Sequence, residues 1–171
     1  MKTPLLLLFL FLTTSFITLP DNWQKATLRK EVSVELPTLP PLEKAFGVEG
    51  YRVHNGRTAF VASVADLMVP KEQQITAYDA QVILMGAEMG TIKRAKGELI
   101  NATELKLGKT TGREITFKTT DPDSGMTILN YMRMFVVGRN MYSFHCWYPE
   151  TGDAASLQDK EKFFESISII N

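Results

Sequence analysis

The stretch from Met126 to Tyr148 limits the fold more than any other. It reads as two long strands joined at Gly138-Arg139-Asn140, and both faces of those strands are apolar. Side chains alternate across a strand, so a sheet built on this hairpin must be covered on both sides. A short strand carrying Gly112-Arg113-Glu114 precedes it. An amphipathic helix follows and ends near Phe163-Phe164-Glu165-Ser166. The expectation is an α+β chain, an antiparallel sheet flanked by helices, with no obvious reactive centre.

Upstream, Val32, Val34 and Leu36 alternate with Ser33 and Glu35, the period of a half-buried strand that the Pro37–Pro41 stretch stops. Val48 to Val53 and Thr58 to Leu67 form a hairpin around His54-Asn55-Gly56, where Asn-Gly supplies positive φ. Phe60, Ala62 and Val64 point one way and Ala59, Val61 and Ala65 the other, which predicts a central strand. A helix over Glu72 to Arg94 would set Ile75, Tyr78, Val82, Met85, Met89 and Ile92 on the sheet, at steps of three and four residues. Gly86 and Gly90 weaken that helix by about 1 kcal/mol each relative to alanine. Strands are expected at Glu98–Leu107 and Arg113–Thr119, and Asp121-Pro-Asp-Ser-Gly125 is a turn. Pro149–Asp153 is a loop, after which Leu157, Phe164 and Ile167 share a helical face.

A chain of 171 residues suits one domain, here residues 21–171, behind a targeting segment at 1–20. Lys2 followed by the unbroken apolar run Leu5–Leu12 reads as a secretory signal peptide, with small residues at Thr13 to Ser15 permitting cleavage. The expected location is periplasmic or secreted, and an uncleaved segment at 4–19 would be the only membrane contact. No cysteine follows the run, which excludes a lipoprotein anchor. The single cysteine, Cys146, rules out an internal disulfide, so the fold rests on its core. Lys+Arg and Asp+Glu both total 19, and that balance lacks the basic excess of a phosphate-neutralising protein, so no nucleic-acid partner is expected.

His54, His145 and Cys146 are the obvious candidates for metal or nucleophilic chemistry. His145 and Cys146 are adjacent on a strand and face opposite ways, which opposes both a shared ion and a nucleophile–base pair. Asp121-x-Asp123 fails as a calcium loop, since Met126 and Met132 stand where glycine and glutamate are needed. Gly108 to Gly112 lacks the spacing of a phosphate loop or a dinucleotide fingerprint. Neither a metal nor any other cofactor is expected. Arg113 and Glu114 face opposite ways, so one charge points inward and needs a partner; Arg133, among apolar neighbours, raises the same question. An anion or partner site and a structural ion pair both satisfy that need. Asn101-Ala-Thr103 is a formal glycosylation sequon.

Four segments, Val32-Ser-Val-Glu-Leu-Pro37, Leu107-Gly-x-x-x-Gly-Arg-Glu114, Phe135-x-x-x-Arg139-x-x-Tyr142 and Phe164-Glu-Ser166, together give a pattern that resembles the exported bacterial members of the PsbP-like superfamily. That superfamily includes DcrB-like periplasmic proteins and a Ran-binding nuclear branch. The resemblance covers most of residues 23–171. It implies an α/β/α sandwich, no shared catalytic site, and roles as accessory, assembly or binding proteins. The photosynthetic and Ran-binding roles do not carry over, because no matching functional residues stand in this chain.

The expected function is that of an exported, non-catalytic accessory domain that binds a protein or envelope component. Recognition would use loops around Asn55, Asp121–Gly125 and Pro149–Asp153. The candidate contact residues are Asn55, Arg113, Asp121, Asp123, Arg133, Trp147 and Tyr148. The alternative is an apolar-ligand pocket between sheet and helix, lined by Met85, Met89 and Trp147.

Overall fold

The structure is a computed structural model that describes residues 22–70 and 72–169; the expected signal segment lies outside the described residues. In chain order the elements are β1 (Gln24–Leu28), β2 (Val32–Leu36), β3 (Glu43–Ala45), β4 (Val48–His54), β5 (Ala59–Asp66), α1 (Ala77–Ala95), β6 (Glu98–Leu107), β7 (Thr110–Thr120), β8 (Thr127–Val137), β9 (Asn140–Pro149), α2 (Ala154–Glu165) and β10 (Ser168–Ile169).

The long hairpin is β8–β9, at the centre of a seven-stranded antiparallel sheet of order β3-β4-β5-β9-β8-β7-β6. β5 pairs with both β4 and β9, the interior position that its two apolar faces predict. A second antiparallel sheet, β1-β2-β10, joins the two ends of the described chain. The fold is α+β, with two antiparallel sheets and two helices among the described residues.

The small sheet and α2 cover one face of the large sheet. Phe60, Ala62, Val64, Phe135, Tyr142, Phe144 and Cys146 meet Val32, Val34, Leu36, Phe163 and Phe164 there in one continuous core. This second sheet is why Ser33, expected to face water, is buried. On the other face α1 lies on β7 and β8, and Leu84 packs with Ile115, Phe117 and Met134. No described element lies over the same face of β4 and β5, where Val61, Ser63 and Ala65 stay half-exposed. Each buried large side chain contributes about 1.5–3 kcal/mol, so the α2 side carries most of the stabilisation.

α1 starts five residues later than periodicity suggests. Thr76 forms a capping box with Asp79, whose carboxylate accepts from the Thr76 backbone N–H while the Thr76 hydroxyl accepts from the Asp79 N–H. At the other end Lys96 takes a left-handed φ of 50°, and the amides of Lys96 and Gly97 close onto Lys93 and Ile92.

The orientation of α1 corrects the sequence reading. Ile92 packs against the sheet as expected, but Tyr78, Val82, Met85 and Met89 face solvent, at 72%, 51%, 52% and 71% exposure. The face laid on the sheet holds Ala80, Ile83, Leu84, Ala87 and Glu88 instead. Small residues allow the helix to sit close, and Glu88 has a partner beneath it. Leu157 is likewise exposed on α2, where Phe163 and Phe164 carry the packing.

Candidate functional site

The three predicted loops meet at one end of the large sheet. The turn at 55–58 leaves β4 there, 121–126 joins β7 to β8, and 149–153 joins β9 to α2. Each is held by its own residues. The Asn55 side-chain carbonyl accepts from the Thr58 amide at 2.9 Å, and its NH2 donates to Asp159 Oδ2 at 2.8 Å. Arg57 Nε donates to the same carboxylate oxygen at 2.8 Å, which fastens the turn to α2. The Asp121 carboxylate accepts from the amides of Ser124 and Asp123 and from the Ser124 hydroxyl, closing an Asx turn. Asp153 caps α2 by accepting from the Ser156 amide at 2.9 Å.

Two ties link the 149–153 loop to the strands that flank the 121–126 turn. The Glu150 amide donates to the Thr127 carbonyl at 2.8 Å, and Lys118 Nζ meets the Glu150 carboxylate at 2.5 Å. The Asp121 and Asp153 carboxylates are held below their usual range, mainly by the backbone amides of Ser124 and Ser156. Arg57 is held in its charged form, first by its hydrogen bond to Asp159. At neutral pH this end therefore presents fixed charges on stiff turns. Asp123 and Thr151 are exposed at the tips.

The other candidates separate from that end. Arg113 points to the α1 side, where its Nε donates to Glu88 Oε2 at 2.5 Å across the sheet–helix interface. Arg133 points to the α2 side, pairs with Glu114, donates to the Phe164 carbonyl and lies 4.8 Å over the Phe164 ring. Both inward charges thus have structural ion-pair partners. Tyr148 is buried, and its hydroxyl donates to that of Tyr131 at 3.2 Å. Trp147 is half-buried on the α1 side of β9, opposite Ala59 and Asn130 and near the loop end.

The chemistry-bearing side chains do not converge. His145 lies on the α1 side, stacked against Phe117 at 6.0 Å and tilted against Trp147 at 4.7 Å. Burial, with the charge of Arg52 adding, brings its imidazole down to about 4. Cys146 lies on the α2 side, fully buried, and burial pushes its thiol up to about 12. His54 shares the face of His145 but stands two strands away, roughly 10 Å at the usual strand spacing. No group of three potential metal ligands occurs among the described residues. Met85 lines a small cavity of about 190 Å³ between α1 and the β6–β7 strands, with Leu84, Glu104 and Arg113, while Met89 and Trp147 are not part of its lining. At the opposite end of the sheet a cleft of about 630 Å³ opens between the start of α1 and the β8–β9 turn. Arg139 at its rim spends its guanidinium on the Val69 and Pro70 carbonyls.

Sequence reasoning identified the loops but missed their stays, Asp159 on α2 and Lys118 on β7. Neither has a local signal, since each is set by contacts between distant segments.

No family model matches the chain, and no curated protein matches it in sequence. Solved structures do match in fold. Cyanobacterial PsbP (CyanoP) from Synechocystis sp. PCC 6803 is similar with a TM-score of 0.58 and 11% identity, covering 88% of this chain and 94% of that one. A protein from Bacteroides thetaiotaomicron is similar with a TM-score of 0.52 and 12% identity over 83% of this chain, which spans only 46% of that longer one. At such identities the likeness is one of fold, and the fold of this chain is PsbP-like.

Proposed function

We propose that the chain is an exported, non-catalytic accessory domain that recognises a protein or envelope partner through the loop end of its large sheet. The observation that carries this reading is that all three loops at this end are braced, 121–126 by its own Asx turn and the other two by ties to α2, β7 and β8. A binding surface that is already ordered loses little conformational entropy when a partner arrives. Loops on a rigid framework are the usual place for recognition. The separation of His54, His145 and Cys146 supports binding over chemistry, because nucleophilic or acid–base work needs such groups within hydrogen-bond reach.

The test is affinity capture from cells after crosslinking, comparing the full chain with an Asp123→Lys/Thr151→Lys double variant. Both substitutions fall on exposed tips and leave the Asn55, Asp121 and Asp153 stays intact. The expected result is a partner enriched with the native chain and lost with the variant, at an unchanged melting temperature. A partner captured equally by both would refute the loop-end reading.

A further inference from the structure

The outer face of α1 is a second exposed surface, built from residues other than those of the three loops. Tyr78, Val82, Met85 and Met89 follow one another at steps of four, three and four residues, the spacing of a helix–helix seam. A helix apolar on both faces is normally covered on both, yet among the described residues this one is covered on the sheet side alone. Gly86 and Gly90 flank the stripe, and a Cβ placed on either would meet nothing within 4 Å. The seam therefore combines large side chains with a bare strip of backbone, which allows a second helix to approach closely.

The charges on α1 choose the occupant. Asp79 stands in its first turn and Lys93 and Arg94 in its last. At 3.6 residues per turn, Asp79, Gly86 and Lys93 fall on the same flank of the stripe. A helix of identical sequence running antiparallel would bring Lys93 of one copy against Asp79 of the other, at both ends of the seam. The same register sets Val82 against Met89 twice, Met85 against Met85, and Gly86 against Gly86. A parallel partner of the same sequence would oppose like charges at each end instead. In the antiparallel register Tyr78 lies beside Lys93 of the second copy, an arrangement that favours a cation over the ring. A two-fold, self-complementary contact of this kind closes on itself and leaves no open edge.

We infer that α1 is a homodimerisation element, in which two copies of this chain pair antiparallel through Tyr78, Val82, Met85 and Met89. The pairing does not depend on what the loop end binds.

Disulfide crosslinking of the full-length chain in cells tests this directly, because its own Cys146 is buried and does not compete. The two-fold axis passes by Met85, so Met85→Cys should give a strong dimer band under mild oxidant. Val82→Cys and Met89→Cys should give little alone, but should crosslink to one another when the two variants are produced together. All three positions are exposed, so folding is retained; circular dichroism confirms this for each variant. A Val82–Val82 band as strong as the Met85–Met85 band would indicate parallel pairing and overturn the proposal. Absence of a dimer band from every variant, or bands only to a different protein, would overturn it equally.

Discussion

His145 and Cys146 are neighbours in the chain, yet β9 sends them to opposite sides of the sheet and into different electrostatic situations. The thiol sits in the continuous core and stays protonated. The imidazole stays neutral because its surroundings, Phe117, Trp147 and the Arg52 guanidinium, disfavour a second positive charge. A histidine depressed to about 4 in the folded chain, against about 6.5 when unfolded, contributes stability above pH 6.5 and loses it as the pH falls through 4. The expected loss between pH 7 and pH 4 is on the order of 2 kcal/mol from this residue. Urea midpoints at several pH values, for the native chain and for His145→Gln, measure it. The variant should show a flatter acid limb, and an identical limb in both would contradict the assignment. The faces of Arg113, Glu114 and Arg133 are legible from strand alternation alone. Their partners, Glu88 for Arg113 and Phe164 for Arg133, are not legible, because they depend on where each helix lands.

At the scale of elements, the strands of the long hairpin and of β4–β5 follow their apolar alternation closely. β1, β3 and β10 escape such reading, being three to five residues or, for β10, only two. α1 shows how a correct helix can be turned the wrong way. Its outer stripe holds larger apolar residues than its inner face, and nothing in the local sequence shows that Glu88 will meet Arg113. The β3–β4 turn carries a local conflict of another kind. Phe46 and Gly47 both have positive φ, 51° and 79°, as a tight two-residue hairpin turn demands. Phe46 is fully exposed there, so it gains no packing to offset a left-handed backbone. Phe46→Asn should raise stability by about 1 kcal/mol, since asparagine tolerates that conformation. A higher urea midpoint at unchanged slope is the expected result. An unchanged or lower midpoint would mean that Phe46 is held by contacts its exposure does not reveal.

At the scale of the molecule, both proposed surfaces ride on one scaffold: the large sheet with its α2 core on one side and α1 on the other. The loops keep their geometry only if Asp159 on α2, Lys118 on β7 and the strand ends stay in register together. The requirement that a doubly apolar sheet be covered on both sides was visible in the sequence. The unequal cover was not, because it arises from α1 spanning only β7 and β8. The chain's two tryptophans sample the two sides. Trp23 packs edge-on to Phe60 in the α2 core at 5.4 Å, and Trp147 sits beside His145 on the α1 side. Single-tryptophan variants, Trp147→Phe and Trp23→Phe, therefore report on each side separately. Urea unfolding followed by their fluorescence is the most direct test of a single scaffold. Each tryptophan's transition should coincide with that variant's own far-ultraviolet circular dichroism curve. A Trp147 signal lost well before the secondary structure of the same variant would contradict it, since the α1 side would then melt on its own.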